Sequence, residues 1–213
     1  VKGLLITLEG IDGSGKSTAA KLIASKIAET MPERRLVLTT EPTAGEVGRI
    51  LRAELARAGG DESSPAQRMQ ELFLFMADHA HHLTKVVLPA LETGAIVLSD
   101  RYADSTAAYQ GVTLSGIVPD PVSWIQGIYR PWNLRPDRTL LFVLDPHAAL
   151  QRMQSRRGRQ KFERLEFLRS VDENFRLMAV LEPERFVQID AEQDAEKVAE
   201  EAITAILDLI SSS

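Results

Sequence analysis

Cysteine is absent from the 213 residues, which excludes a disulfide framework, thiolate metal sites and thiol redox chemistry, and agrees with a reducing compartment. Long apolar runs are absent as well. None approaches the roughly 18 to 20 residues needed to cross a bilayer, and Val1-Lys2-Gly3 runs directly into an apolar segment without a signal-peptide pattern. No membrane contact and a cytoplasmic location are the expectations. Positive charge is also scarce: 25 Lys and Arg stand against 30 Asp and Glu, for a formal net charge of -5. That balance argues against a nucleic-acid surface, although a local basic site can still hold a small anion. Internal repeats and low-complexity linkers are missing. What is there is 44% hydrophobic and 26% charged, the composition of an ordinary globular chain. The length favours one domain spanning residues 1–213.

Five short apolar runs read as buried strands, at residues 4–8, 35–39, 95–99, 139–144 and 185–189. Between them, residues 16–30, 46–57, 65–92, 122–130, 147–157, 163–181 and 195–210 carry helical spacing. Parallel strands need long, usually helical crossovers. The alternation therefore predicts a three-layer α/β fold, a five-stranded parallel sheet flanked by helices, with the first strand at its centre. Residues 58–64 read as a surface loop and 211–213 as a frayed end.

One motif carries chemistry outright. Gly10-Ile11-Asp12-Gly13-Ser14-Gly15-Lys16-Ser17 fits G-x-x-x-x-G-K-[ST] and lies between a predicted strand and a predicted helix. Its glycines let successive backbone N–H groups point inward, and the following helix N-terminus adds partial positive charge. A polyphosphate fits that nest. Lys16 can reach the β and γ phosphates, and the Ser17 hydroxyl suits a magnesium ion bridging them, so ATP with Mg2+ is implied. The motif leaves kinase, GTPase and ATPase open, and a glycine-rich turn that matches by chance is the bland alternative.

A magnesium site of this class also needs a carboxylate at a neighbouring strand end, and Asp100 and Asp145 both qualify by position. Asp100 precedes Arg101, which could set a cation beside transferring phosphates; Asp145 precedes Pro146, which suits a helix cap. Asp100 is read as the metal ligand with Ser17, and Asp145 as the cap. An ordinary strand-end ion pair is the competing reading of Asp100-Arg101.

Three further segments carry a family resemblance. Asp100-Arg101-Tyr102-Ala103-Asp104-Ser105-Thr106-Ala107-Ala108-Tyr109-Gln110 resembles the D-R-[YFH]-x-x-S-x-x-A-Y-Q signature of thymidylate kinases; Glu41-Pro42-Thr43, with Gly48 and Arg52, is similar to that family's loop after the second strand; and Arg156-Arg157-Gly158-Arg159-Gln160-Lys161-Phe162-Glu163 resembles its mobile lid. The resemblance covers nearly the whole chain in order. It implies a P-loop kinase fold, ATP-dependent phosphorylation of dTMP to dTDP for dTTP synthesis, and a homodimer.

By position, the resemblance implies Lys16, Asp12, Arg101, Arg157 and Arg159 as catalytic, with Arg152 added to the ATP-binding loop residues. It implies Phe75 stacking on the pyrimidine, Ser105, Thr106 and Gln110 as polar contacts near it, Tyr109 against the sugar, and Arg101 clamping phosphate. Arg52 and Glu163 complete the substrate set. Some members keep the catalytic Arg in the phosphate loop and others in the lid, near residues 155–164. Gly13 holds the loop position here, so the lid must supply the cation, with no basis for ranking Arg157 against Arg159. Such a lid can place charge where it develops in transfer.

Two positions depart from the pattern: Thr40 and His79 stand where the family usually has Arg. Arg49 or Arg52 is expected to compensate for Thr40. His79, shorter than Arg, is expected to make a weaker contact to the pyrimidine edge, which His79→Arg would restore. His79, His81 and His82 do not suggest a metal site, because only His79 and His82 share a helical face. The alternatives are a kinase for another pyrimidine nucleotide or a nucleoside, or a nucleotide-regulated switch.

Overall fold

The computed structural model describes residues 3–57, 64–154 and 165–211. Five strands form one parallel sheet in the order β2-β3-β1-β4-β5: β1 (Leu4–Glu9), β2 (Leu36–Thr40), β3 (Ile96–Asp100), β4 (Arg138–Val143) and β5 (Phe186–Asp190). The expected strand 4–8 is indeed central, and every residue of β1 is buried, as a strand covered on both faces by helices must be. Register then fixes the site. Leu8 and Thr40 both pair with Asp100, so the carboxyl ends of β1, β2 and β3 come level, where open α/β sheets bind ligands.

Helices α1 (Lys16–Thr30) and α9 (Ala195–Ser211) pack together, while α3 (Pro65–His82), α5 (Ala103–Thr113) and α8 (Leu165–Leu181) form a second group, with α2 (Glu46–Arg57) against α3 and α6 (Pro121–Tyr129) against α5. Beneath them, Leu5, Ile6, Leu8, Ile96 and Leu98 are fully buried. Local signals set several helix starts. Ser64 and Gln67 form a reciprocal capping box at α3, satisfying two otherwise orphaned N–H groups. Asp145 Oδ1 accepts from the backbone N–H groups of His147 and Ala148 at 2.9 and 3.1 Å; it caps α7 (Pro146–Gln154), as read from the sequence.

Two elements differ from expectation. The predicted helix 65–92 is interrupted by a π-helical turn at Leu83–Val87 before the short α4 (Leu88–Glu92). Pro89 explains the break: its ring clashes with the carbonyl one α-helical turn back and it has no N–H to donate, so the backbone widens. The second is α5, an additional helix the sequence reading did not include. Ten of its eleven residues are buried, so it carries no polar face to mark it. Among the described residues no helix is long and apolar enough to cross a membrane.

Candidate active site

β1 ends at Glu9, and the chain turns through Gly10 and Gly13 with φ of 137° and 84°. A Cβ at Gly10 would lie 2.5 Å from the Phe142 carbonyl oxygen, and one at Gly13 would lie 2.6 Å from that of Ala149. Neither position admits a side chain as the loop stands. No side chain caps the start of α1, which leaves its first-turn N–H groups to face an anion. The Lys16 ammonium is buried and donates to the Ile11 carbonyl at 2.7 Å and to Ser14 Oγ at 3.0 Å. Burial first, and the Arg101 charge second, bring its pKa down to about 7; a polyphosphate in the loop supplies the opposite push. Ser17 Oγ donates to Asp100 Oδ2 at 2.5 Å, so the proposed metal ligands are already side by side. Hard oxygen donors of this kind suit Mg2+, which takes one or two protein oxygens and completes its shell with phosphate and water. Among the described residues no group of three or more His, Cys, Asp or Glu could hold a metal on its own.

Beside the loop lies a cleft of about 620 Å³, part of which is open to solvent. Asp12, Phe75, Arg101, Ser105, Thr106, Tyr109 and Gln110, all expected at the site, line it. Arg101 is the hub. Its guanidinium donates to Asp12 Oδ1 in a tight ion pair, to Ser105 Oγ at 2.9 Å and to the Gly10 carbonyl at 3.4 Å, and lies 5.0 Å from the Tyr109 ring centroid. Tyr109 Oη in turn accepts from the Asp12 backbone N–H at 2.8 Å. Arg101 takes φ 73°, a conformation that costs a non-glycine residue about 1 kcal/mol or more. Its backbone N–H donates to the Leu8 carbonyl at 3.0 Å, so the sheet holds it there. Burial disfavours its charge, but Tyr109, Asp12, Asp100 and Glu9 overcome that, and it stays cationic.

His79 is a correction. It is fully buried and does not line the cleft. Nδ1 bonds Glu41 Oε1 at 2.8 Å and Nε2 bonds Asn133 Oδ1 at 2.9 Å, inside a cage of the Tyr102, Tyr129 and Trp132 rings. With both ring nitrogens engaged by the protein, it has nothing to offer a pyrimidine edge. His79→Arg would force a longer guanidinium into this cage, so the expected gain in acceptor affinity is reversed. Arg52 is the second correction: its guanidinium donates to the carbonyls of Thr43, at 2.5 Å, and Pro42, and it does not line the cleft. It holds the loop after β2. Arg152 sits on α7, bonded to the Ala191 carbonyl at 3.0 Å. Arg157, Arg159 and Glu163 lie outside the described residues.

Sequence reasoning missed two acidic residues. Glu9 is buried, accepts from Ser105 Oγ at 2.5 Å through Oε2, and leaves Oε1 without a partner. Burial, then the nearby Asp104 charge, raises its pKa well above the usual carboxylate range. The readable signal was a lone acid closing an otherwise apolar strand directly before the phosphate loop. Glu41, which lines the cleft with Pro42, Leu55 and Tyr102, stands out in the sequence only as part of a loop motif.

A phosphate loop on the central strand of a parallel sheet, with an arginine-centred, aromatic-walled cleft at the strand ends, defines a P-loop nucleotide kinase. The sequence pattern of the family described as Thymidylate kinase matches residues 8–202, and the chain belongs to that family. A protein of Methanococcoides burtonii described as "probable thymidylate kinase" is 44% identical over 212 residues, covering 100% of each chain. One of Methanosarcina acetivorans with the same description is 45% identical, across 99% of this chain and 98% of its own. A crystal structure of thymidylate kinase from Ehrlichia chaffeensis superposes with a TM-score of 0.74 at 27% identity, over 97% of this chain and 100% of that one.

Proposed function

We propose that the chain transfers the γ-phosphoryl group of ATP to the 5'-phosphate of dTMP, giving dTDP and ADP. One observation carries this reading: Arg101 ties the phosphate loop, through Asp12, to the cleft that ends at Phe75 and Tyr109. A donor phosphate in the loop and an acceptor phosphate at Arg101 would meet with the pyrimidine toward Phe75. An acceptor phosphate oxygen then forms the new bond to γ-phosphorus as the bond to the ADP oxygen breaks. Positioning and charge stabilisation supply the catalysis of such a transfer. Lys16 follows the migrating charge, Arg101 clamps the acceptor phosphate, Asp12 fixes Arg101 and the acceptor end, and Tyr109 lies against the sugar. Thr106, Ser105 and Gln110 form the polar wall. Ser17 and Asp100 would hold Mg2+, which when bound neutralises charge on the β and γ phosphates.

Because Gly13 cannot carry a side chain where it lies, the transition-state cation is assigned to the lid, to Arg157 and Arg159; Glu163 is assigned to substrate binding and Arg152 to ATP binding. Replacing both lid arginines by Ala should lower kcat about a hundredfold while ATP affinity changes little; loss of ATP binding at unchanged kcat would sink that assignment. The protein is proposed to work in the cytoplasm as a homodimer, residues 1–213 of each subunit belonging to one domain, without nucleic-acid or membrane partners. The direct test is ADP release from ATP with dTMP, dUMP, UMP and CMP offered in turn. Release only with an acceptor, greatest with dTMP, is expected; release without one would favour a switch.

A further inference from the structure

Helix α3 meets the loop after β2 at three points. Asp78 accepts from the Thr43 backbone N–H at 2.6 Å and from its hydroxyl at 2.5 Å, while His79 and His82 both direct Nδ1 at one oxygen, Glu41 Oε1, at 2.8 and 2.6 Å. An oxygen accepting from two rings requires a hydrogen on each Nδ1. Their Nε2 atoms are held in turn, His79 by Asn133 and His82 by Thr39 Oγ1 at 2.8 Å. Both histidines are fully buried, and Glu41, 8% exposed, lines the acceptor cleft. Two imidazoles committed to one carboxylate oxygen is more than a buried glutamate needs for satisfaction, and the other oxygen of Glu41 takes no protein donor among the described residues.

We propose that His79 and His82 are positioning residues of the acceptor site, acting through Glu41, whose second carboxylate oxygen they hold ready for an O–H or N–H donor of the acceptor nucleotide or its bound water. This rests on the reading that the cleft is the dTMP site. Neither histidine touches substrate. The charge balance fits: burial opposes a charge on His79, but the Glu41 carboxylate outweighs it and holds its pKa above the ordinary value, while Glu41 is held below its own despite burial. The other ionisable groups facing His79 are Asp78 and His82 on α3, Tyr102 at the start of α5 and Tyr129 on α6. Both tyrosines are raised far from neutrality by burial, so they stay uncharged. When His79 loses its proton, Glu41 keeps its hydrogen bonds and loses its counter-charge.

The experiment is steady-state kinetics on wild type, His79→Asn, His79→Gln, His79→Leu and His82→Asn from pH 6 to 9, with thermal melts on each. Asn can place an amide N–H near the Nδ1 position, whereas Gln reaches the Nε2 position and Leu offers neither. At pH 6.5, His79→Leu and His79→Gln should raise KM for dTMP about tenfold with kcat changed less than twofold, and His79→Asn should recover most of that loss. The ratio of the His79→Asn KM to the wild-type KM should be largest at pH 6, at about two to three, and fall to about one by pH 9. Taking the ratio cancels titration of the acceptor's own phosphate. If His79→Leu does not fold, the Asn and Gln variants still decide. A ratio flat with pH, an effect confined to kcat, or an Asn variant no better than Gln would overturn the inference while leaving the kinase reading intact. Failure of the wild type to phosphorylate dTMP at any pH would overturn the cleft assignment and this inference with it.

Discussion

Helix α5 is flanked by two arginine–aspartate pairs with opposite settings. At the cleft, Arg101 meets Asp12 with side chains 19% and 33% exposed; on the other side, Arg185 meets Asp104 at 2.5 Å with 5% and 10%. The sealed pair is fully supported: Arg185 also donates to Thr139 Oγ1 at 2.7 Å and to both oxygens of Glu182 at 2.8 and 3.0 Å. Every partner is internal, and the pair ties α5 to β4 and the end of α8. The open pair sits on strained backbone at a cavity wall. Both pairs border a cavity, so what separates them is that every donor of Arg185 is taken up by the protein, whereas the Arg101 pair stays more exposed beside the phosphate loop.

The largest effect should come from breaking the open pair on its cationic side. Arg101→Ala should lower kcat/KM for dTMP about a thousandfold, an order that removal of a phosphate-directed cation can reach. Thermal stability should change little, because Asp12 is a third exposed and water can replace the lost donor; the φ of 73° is unaffected, since Ala keeps the Cβ that makes it costly. Activity within tenfold of wild type would remove Arg101 from the transfer step. Asp104→Ala should do the reverse. It leaves Arg185 buried with half its compensation, and removal of one partner from such a pair costs about 3 kcal/mol, readable as a lower urea midpoint at unchanged slope. Its KM for dTMP should stay within twofold. A change in KM without a stability loss would mean that the two pairs are not separable.

The sheet was legible because its strands are short apolar runs alternating with helical periods, and the phosphate loop because its glycine spacing, closed by Lys16-Ser17, falls between a strand and a helix. The cleft was legible only in part. Arg101 was legible beside Asp100 at a strand end, but Phe75 on α3 and Thr106 and Tyr109 on α5 came from resemblance; α5 is buried nearly all round and has no amphipathic stripe to announce a helix. His79 was misplaced for a related reason. Position in a motif says which side chain faces a site when its length is kept, but a shorter imidazole can turn to a different partner, and Glu41 was available at 2.8 Å. Arg52 likewise answers to the nearest bare carbonyls, those of Pro42 and Thr43.

A pH test above 6 separates the histidine network from the arginines of both pairs, which stay charged there. His79 is raised above its ordinary 6.5 by Glu41 against the opposing effect of burial. Its contribution to stability is therefore complete below pH 6.5 and lost as pH rises through the higher folded value. Glu41 is lowered from 4.5, so its contribution is present above pH 4.5 and lost as pH falls through the lower folded value. In urea titrations the stability of wild type relative to His79→Asn should fall as pH rises above 6.5; the difference cancels Lys16, whose folded pKa of about 7 makes stability rise over the same range in both. An identical pH profile in both would assign the change to other groups.

The smallest expected effect tests whether the open pair depends on its hydroxyl neighbour. Tyr109 Oη accepts from the Asp12 backbone N–H at 2.8 Å and lies 3.4 Å from Arg101 Nη2, so it braces both members of the pair. Burial raises the phenol pKa far above neutrality, and the neutral hydroxyl is the acting form. Tyr109→Phe keeps the ring on the cleft wall and removes only that oxygen, leaving the Asp12 N–H without its acceptor. The loss should be about 1 kcal/mol of stability, the usual worth of one such bond. If the hydroxyl also crowds the sugar, preference for dUMP over UMP should fall about fivefold, because a 2'-hydroxyl then finds the space the phenol oxygen filled. Stability loss with preference intact would make Tyr109 a brace for Asp12 alone. Loss of preference with stability intact would place its oxygen on the acceptor side, and the open pair would then rely on Arg101 and Asp12 without it.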